Sequence, residues 1–85
     1  GIIDAVTLRQ LIKDLEQHAT ILNVREKNGP TTYTQQEEQP LQNAVLRLLS
    51  GESRATQIRY RYDGFEWSDT ILAMPSGFKV VRCRH

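Results

Sequence analysis

Apolar side chains recur at Leu8, Leu11, Ile12, Leu15, Ala19 and Leu22, the three-and-four spacing that gathers them on one side of an α-helix. Asp4 precedes this series as an N-cap, with Ile2 and Ile3 placed to fold back on the first turn. Arg9, Lys13, Asp14, Glu16 and Gln17 fall on the other side, so the pattern predicts an amphipathic helix with a solvated face. From Asn23 to Gln39 the helical period is lost, and Asn28-Gly29-Pro30 is a strong turn signal, so this stretch reads as a connection. A short extra hairpin around Asn28-Gly29 is the alternative, because Leu22-Asn23-Val24-Arg25 and Thr31-Thr32-Tyr33-Thr34 flank the pair with strand-favouring residues. Pro30 weighs against it by removing a backbone donor beside the turn.

Leu41, Ala44, Val45, Leu48 and Leu49 then cover one face of a second helix. Thr34 and Glu37 have capping-box spacing, but a start there would bury Pro40 in the helix, where its ring clashes with an earlier carbonyl. A start at Pro40 avoids the clash, sets Glu37 and Glu38 near the positive end of the helix dipole and leaves Gly51 as the stop.

Residues 56–71 change period to two. Thr56 to Tyr62 and Phe65 to Ile71 alternate apolar with polar residues on either side of Asp63-Gly64, a pair suited to a two-residue type I′ turn. The turn dictates a register. Tyr62 faces Phe65, Tyr60 faces Trp67 and Ile58 faces Asp69 on one side; Arg61 faces Glu66 and Arg59 faces Ser68 on the other. The aromatic side is expected to form the core, with Arg61 paired to Glu66 on the surface. A second turn at Met74-Pro75-Ser76-Gly77-Phe78 leads into a third strand, Phe78 to Arg84. The predicted fold is α+β, with two helices packed on one face of a three-stranded antiparallel meander in the order α-α-β-β-β.

The 85 residues read as one domain, 1–85, and their composition is that of an ordinary globular chain. With no disulfide or evident metal to supplement a small core, self-association into a homodimer is an expected option. Cys83 stands alone and no apolar run is long enough to cross a bilayer, which together point to the cytoplasm and away from a membrane. Charge is uneven. Residues 1–43 hold four cations against six anions, and residues 44–85 hold seven against four, so the basic excess lies with the predicted sheet.

Candidate chemistry is sparse. Ser68, Asp69, His18 and His85 form no pattern that orders a base against a nucleophile, so no catalytic residue is assigned. Cys83, His85 and His18 are far from a zinc signature, and Cys83 reads as a small, partly buried strand residue. No glycine-rich loop joins a strand to a helix, so neither a cofactor nor a small-molecule substrate is indicated. Asp69 is out of place, a carboxylate on the aromatic side that must find donors. The candidate partner-binding residues are Arg59, Arg61, Trp67, Asp69, Arg82 and Arg84, which combine the residue types of interface hot spots with the basic excess of the strands. They support a small non-enzymatic interaction module that binds a protein partner or itself through its sheet. The alternative is a nucleic-acid-binding domain, either winged-helix-like, with residues 41–50 as reader and the Asp63-Gly64 hairpin as wing, or using a basic sheet face.

Overall fold

A computed structural model describes residues 2–28, 32–33 and 41–85. In chain order its elements are β1 (Ile2–Ile3), α1 (Ala5–His18), β2 (Thr20–Asn28), β3 (Thr32–Tyr33), α2 (Leu41–Ser50), β4 (Ala55–Tyr62), β5 (Phe65–Met74) and β6 (Gly77–Arg84). The predicted three-stranded meander is therefore incorrect as a fold class. The sheet has five antiparallel strands, extended at one edge by the two-residue β3, in the order β1-β6-β5-β4-β2-β3. The last three strands are its centre, and β1 and β2 add to either side.

The central hairpin has the register that its turn dictates: Tyr62 pairs with Phe65, Tyr60 with Trp67, Ile58 with Asp69 and Arg61 with Glu66. Asp63 and Gly64 both take positive φ, 54° and 82°, as a type I′ turn requires. Asp4 caps α1, its Oδ1 accepting from the Thr7 backbone N–H at 2.8 Å, and that bond holds the carboxyl below its ordinary range. The helix stops at His18. Ala19 is already extended, and Leu22, which the helical spacing had included, lies in β2 at the irregularity between Ile21 and Asn23.

The sequence pattern shows no strand at β1 and marks β2 only as one arm, residues 22–25, of the alternative hairpin around Asn28-Gly29, for different reasons. Ile2 and Ile3, read as a staple on the helix, pair instead with Lys79 and Phe78 of β6, and two residues are too few to show a period. In β2 the bulge shifts the alternation, and the core-facing Glu26 replaces an apolar residue. Glu26 is almost fully buried and takes a bidentate pair from Arg47 of α2, at 2.8 and 2.6 Å, which holds the Arg47 guanidinium more firmly protonated than usual. The end of β2 does pair with β3, Lys27 with Tyr33 and Asn28 with Thr32. The Gly29-Pro30 turn, Thr34, Glu37, Glu38 and Pro40 lie outside the described residues.

Both helices lie on one face of the sheet. Leu8, Ile12 and Leu15 of α1 and Leu41, Ala44, Val45 and Leu48 of α2 enclose a core with Val24, Ile58, Tyr60 and Ile71. The route of α1 sets what is left bare. It begins beside β6, where Ile3 pairs with Phe78, and ends beside β2, where Thr20 pairs with Arg61. From β1 to β2 it thus crosses four strand spacings, about 19 Å, while running toward the Asp63-Gly64 end of the sheet. α2 packs over β2 and β4. A helix on that diagonal cannot cover the corner where β5 and β6 meet the hairpin turn.

Candidate functional site: an uncovered corner of the sheet

On the helix side of the sheet, alternation aligns Tyr62, Phe65, Trp67, Arg82 and Arg84 at this corner. Tyr62 is 50% and Phe65 47% exposed, which corrects the expectation that both belong to the core: they sit on the core-facing side but beyond the reach of α1. Trp67 is half-buried, and its indole N–H donates to the Tyr62 carbonyl at 3.4 Å. Arg84 pairs with Trp67 across the ladder and places its guanidinium 4.8 Å from the centre of the Phe65 ring, within cation–π range.

Asp69 anchors the inner edge of the corner. It is wholly buried, and its Oδ1 and Oδ2 each accept from Arg82, from Nε and Nη2 at 2.8 Å, in a side-on bidentate pair. The Tyr60 hydroxyl donates to Oδ1 at 2.9 Å. The out-of-place carboxylate thus finds three donors from two neighbouring strands. Burial, and then the bond to Asp69, pushes the Tyr60 phenol up to about 12, so it remains a donor throughout the ordinary pH range. The Asp69 pairing likewise raises Arg82 above its ordinary value. Arg82 is nonetheless 48% exposed, a cation fixed from within and open outward. Between Tyr60, Tyr62 and Arg82 and the end of α1 lies an open cleft of about 420 Å³, whose other walls are Leu11, Asp14, Leu15, His18 and Ala19.

Four of the six predicted residues, Trp67, Asp69, Arg82 and Arg84, therefore come together. Arg59 and Arg61 do not, because odd positions of β4 point to the opposite, helix-free face. There the expected Arg61–Glu66 ion pair gives way to Arg59–Glu66: Arg61 stands directly across the ladder, but Glu66 reaches diagonally to Arg59. Register places Arg25, Lys27, Arg59, Arg61 and Lys79 on this open face with Glu66 as its one anion among the described residues. A shallow groove of about 450 Å³ crosses it between Arg25, Gln57 and Thr70. Cys83 is also on this face and is exposed rather than partly buried.

Tyr62 and Phe65 were missed as surface residues, since alternation reports which side a residue takes and not how far a helix extends. His18 was set aside as a catalytic base and as a zinc ligand, and it joins the cleft because α1 stops there. Among the described residues no three His, Cys, Asp or Glu side chains converge to hold a metal ion, and no helix is long and apolar enough to cross a membrane. The hairpin is no wing, since β4 and β5 are central strands. No protein-family model matches the chain, and no curated protein or solved structure gives a significant match.

Proposed function

We propose that this chain is a non-enzymatic interaction module of a reducing compartment such as the cytoplasm, and that it docks a protein partner on the uncovered corner formed by Tyr62, Phe65, Trp67, Arg82 and Arg84. One observation carries the reading: two half-exposed rings and two arginines are held on strands rather than loops, with a fully buried carboxylate fixing one of the arginines. Aromatic and arginine side chains supply most interface hot spots, and rigid placement lowers the ordering cost of binding. The exposed parts of Tyr62 and Phe65 amount to about 100 Å² each, against roughly 800 Å² per partner in a standard interface. The corner is thus the centre of a contact, and the surrounding strand ends complete it.

Charge favours a partner that brings carboxylates. A second copy of the chain fits less well, because two-fold pairing of the corner would bring the two Arg84 guanidiniums together while Asp69 stays buried. The test is a cross-linking capture from cells of the source with three baits: wild type, Phe65→Asp and Arg61→Glu. Capture by wild type and Arg61→Glu that is lost with Phe65→Asp supports the corner. Capture that survives Phe65→Asp refutes it.

Nucleic-acid binding is the second reading, and it rests on the five cations of the open face. Its difficulty is that none of the described side chains of that face is a Phe, Tyr or Trp, and the one imidazole there, His85, is engaged with Ser68, which leaves little of the stacking platform that single strands use. Anisotropy with a labelled oligonucleotide separates the two. Binding through four or five phosphate contacts would weaken with a log–log salt slope of about −3 to −4, and no binding at low salt ends this reading.

A further inference from the structure

Arginine has two edges that can each hold an oxyanion: the side-on edge of Nε and Nη2, and the end-on edge of Nη1 and Nη2. Asp69 occupies the side-on edge of Arg82 with two bonds of 2.8 Å, and the Tyr60 hydroxyl, which shares Asp69 Oδ1, also lies against the guanidinium. Its end-on edge carries two N–H donors, one on Nη1 and one on Nη2. The carboxylate that fixes it is wholly buried, whereas the arginine side chain is 48% exposed and lines the cleft below α1. A flexible surface arginine would lose side-chain freedom on binding, but this one is already held in place by Asp69.

We propose that the end-on edge of Arg82 is an oxyanion seat, and that the cleft between it and the last turns of α1 binds an acidic group carrying an apolar portion. The inference rests on the docking reading above, whose corner adjoins this cleft through Tyr62 and Arg82. The lining is of two kinds, which defines the ligand. Arg82 and Tyr62 on the sheet and His18 on the helix end carry donors, whereas Leu11, Leu15 and Ala19 are apolar. Asp14 also faces the cleft and repels an anion, so the acidic group must sit at the Arg82 side. A carboxylate attached to an aliphatic or aromatic group satisfies both walls. It can come from a partner's chain terminus or from a free organic acid, while phosphate shares the oxyanion chemistry without the apolar part.

The experiment is an NMR titration of the full chain with sodium benzoate, inorganic phosphate and an apolar-ended peptide bearing either a free or an amidated C-terminus, all at constant ionic strength against chloride. The expected result is saturable shifts of the Arg82 Nε–H and the His18 and Ala19 amides with benzoate, and shifts with the free-acid peptide that amidation abolishes if the acid is a chain terminus. Saturation by phosphate alone would support the seat while assigning it to phosphate groups. Arg82→Gln should weaken benzoate at least tenfold, but it strands Asp69 and risks unfolding. Asp14→Asn, at an exposed helix position, serves as the second variant and should tighten binding about fivefold by removing the like charge. No saturable shift with any of these acids, or shifts that chloride reproduces, overturns the seat. That outcome is distinct from failure of the docking reading, which is scored by loss of protein capture with Phe65→Asp and requires no small anion.

Discussion

The Asp69–Arg82 pair makes a prediction that depends on which of its two residues is removed. Arg82→Met keeps the stem of the side chain but strips two of three donors from a carboxylate with no access to water. Breaking a buried ion pair in this way costs about 3–5 kcal/mol, and half-exposure of the lost guanidinium, which lets water approach from that side, places the value near the lower end. A domain of this length has about 4–13 kcal/mol of stability in total. A loss of about 3 kcal/mol would lower Tm by roughly 12 °C or more.

Removing the other partner is a different perturbation. In Asp69→Leu the arginine can turn outward to solvent, leaving chiefly the Tyr60 hydroxyl without its acceptor, a loss of about 1–2 kcal/mol. The double variant should recover much of the Arg82→Met deficit, since the stranded charge is then absent. Urea unfolding of wild type, both single variants and the double variant measures all three quantities. A cost under 1 kcal/mol for Arg82→Met, the size of a solvent-exposed pair, would refute the claim that Asp69 is anchored by Arg82. Equal costs for the two single variants would refute the asymmetry.

Three further outcomes follow from other parts of the fold. The Tyr60 phenol, held up to about 12, should ionise later than an ordinary tyrosine, so absorbance near 295 nm should show part of the phenolate signal of the folded chain appearing only above pH 11. Because the folded value is the higher one, the linked stability is fully present below pH 10 and is lost as pH rises toward 12, and Tyr60→Phe should flatten that loss in alkaline urea titrations. Gly77→Ala should detach β1, because a Cβ there would lie 2.5 Å from the Ile3 carbonyl oxygen on a backbone with φ of 147°; faster hydrogen exchange at residues 2–3 and 78–79 is the expected signature, and unchanged exchange would contradict the pairing. Gly64→Val meets no steric neighbour but forces a β-branched residue to φ of 82°, so a Tm fall of several degrees is expected and an unchanged Tm would disprove the turn geometry.

Much of the sheet's centre was legible because Asp63-Gly64 fixes register locally, and every cross-strand pair counted outward from it holds through Ile58 and Asp69. The edges were not legible. β1 is too short to carry a period, and β2 conceals its alternation twice, with a bulge at Leu22 and with a buried Glu26 whose charge is matched by Arg47, 21 residues away in the chain. A pattern method reads such a glutamate as exposed, since the compensating partner is visible only in three dimensions. The same limitation put Tyr62 and Phe65 in the core: their side of the sheet was correct, but the path of α1 over it follows from where β1 and β2 attach, and the pattern shows neither the β1 strand nor the pairing of β2 with β4.

Strand parity, in turn, explains why one set of six candidate residues divides into two surfaces with different chemistry. Strand parity sends Arg59 and Arg61 to the open face, where they join Arg25, Lys27 and Lys79 from strands on either side. It sends Trp67, Arg82 and Arg84 to the helix side, where the same arginine chemistry is combined with exposed rings and a buried acid. A contact on the open face is governed by net charge and must weaken as salt screens it. A contact at the corner buries rings and draws on an arginine already oriented by Asp69, so it should persist at salt concentrations that dissociate the first. The salt dependence of whatever partner is captured therefore identifies the surface it uses before any residue is changed, and Phe65→Asp and Arg61→Glu, one on each surface, then check that assignment independently.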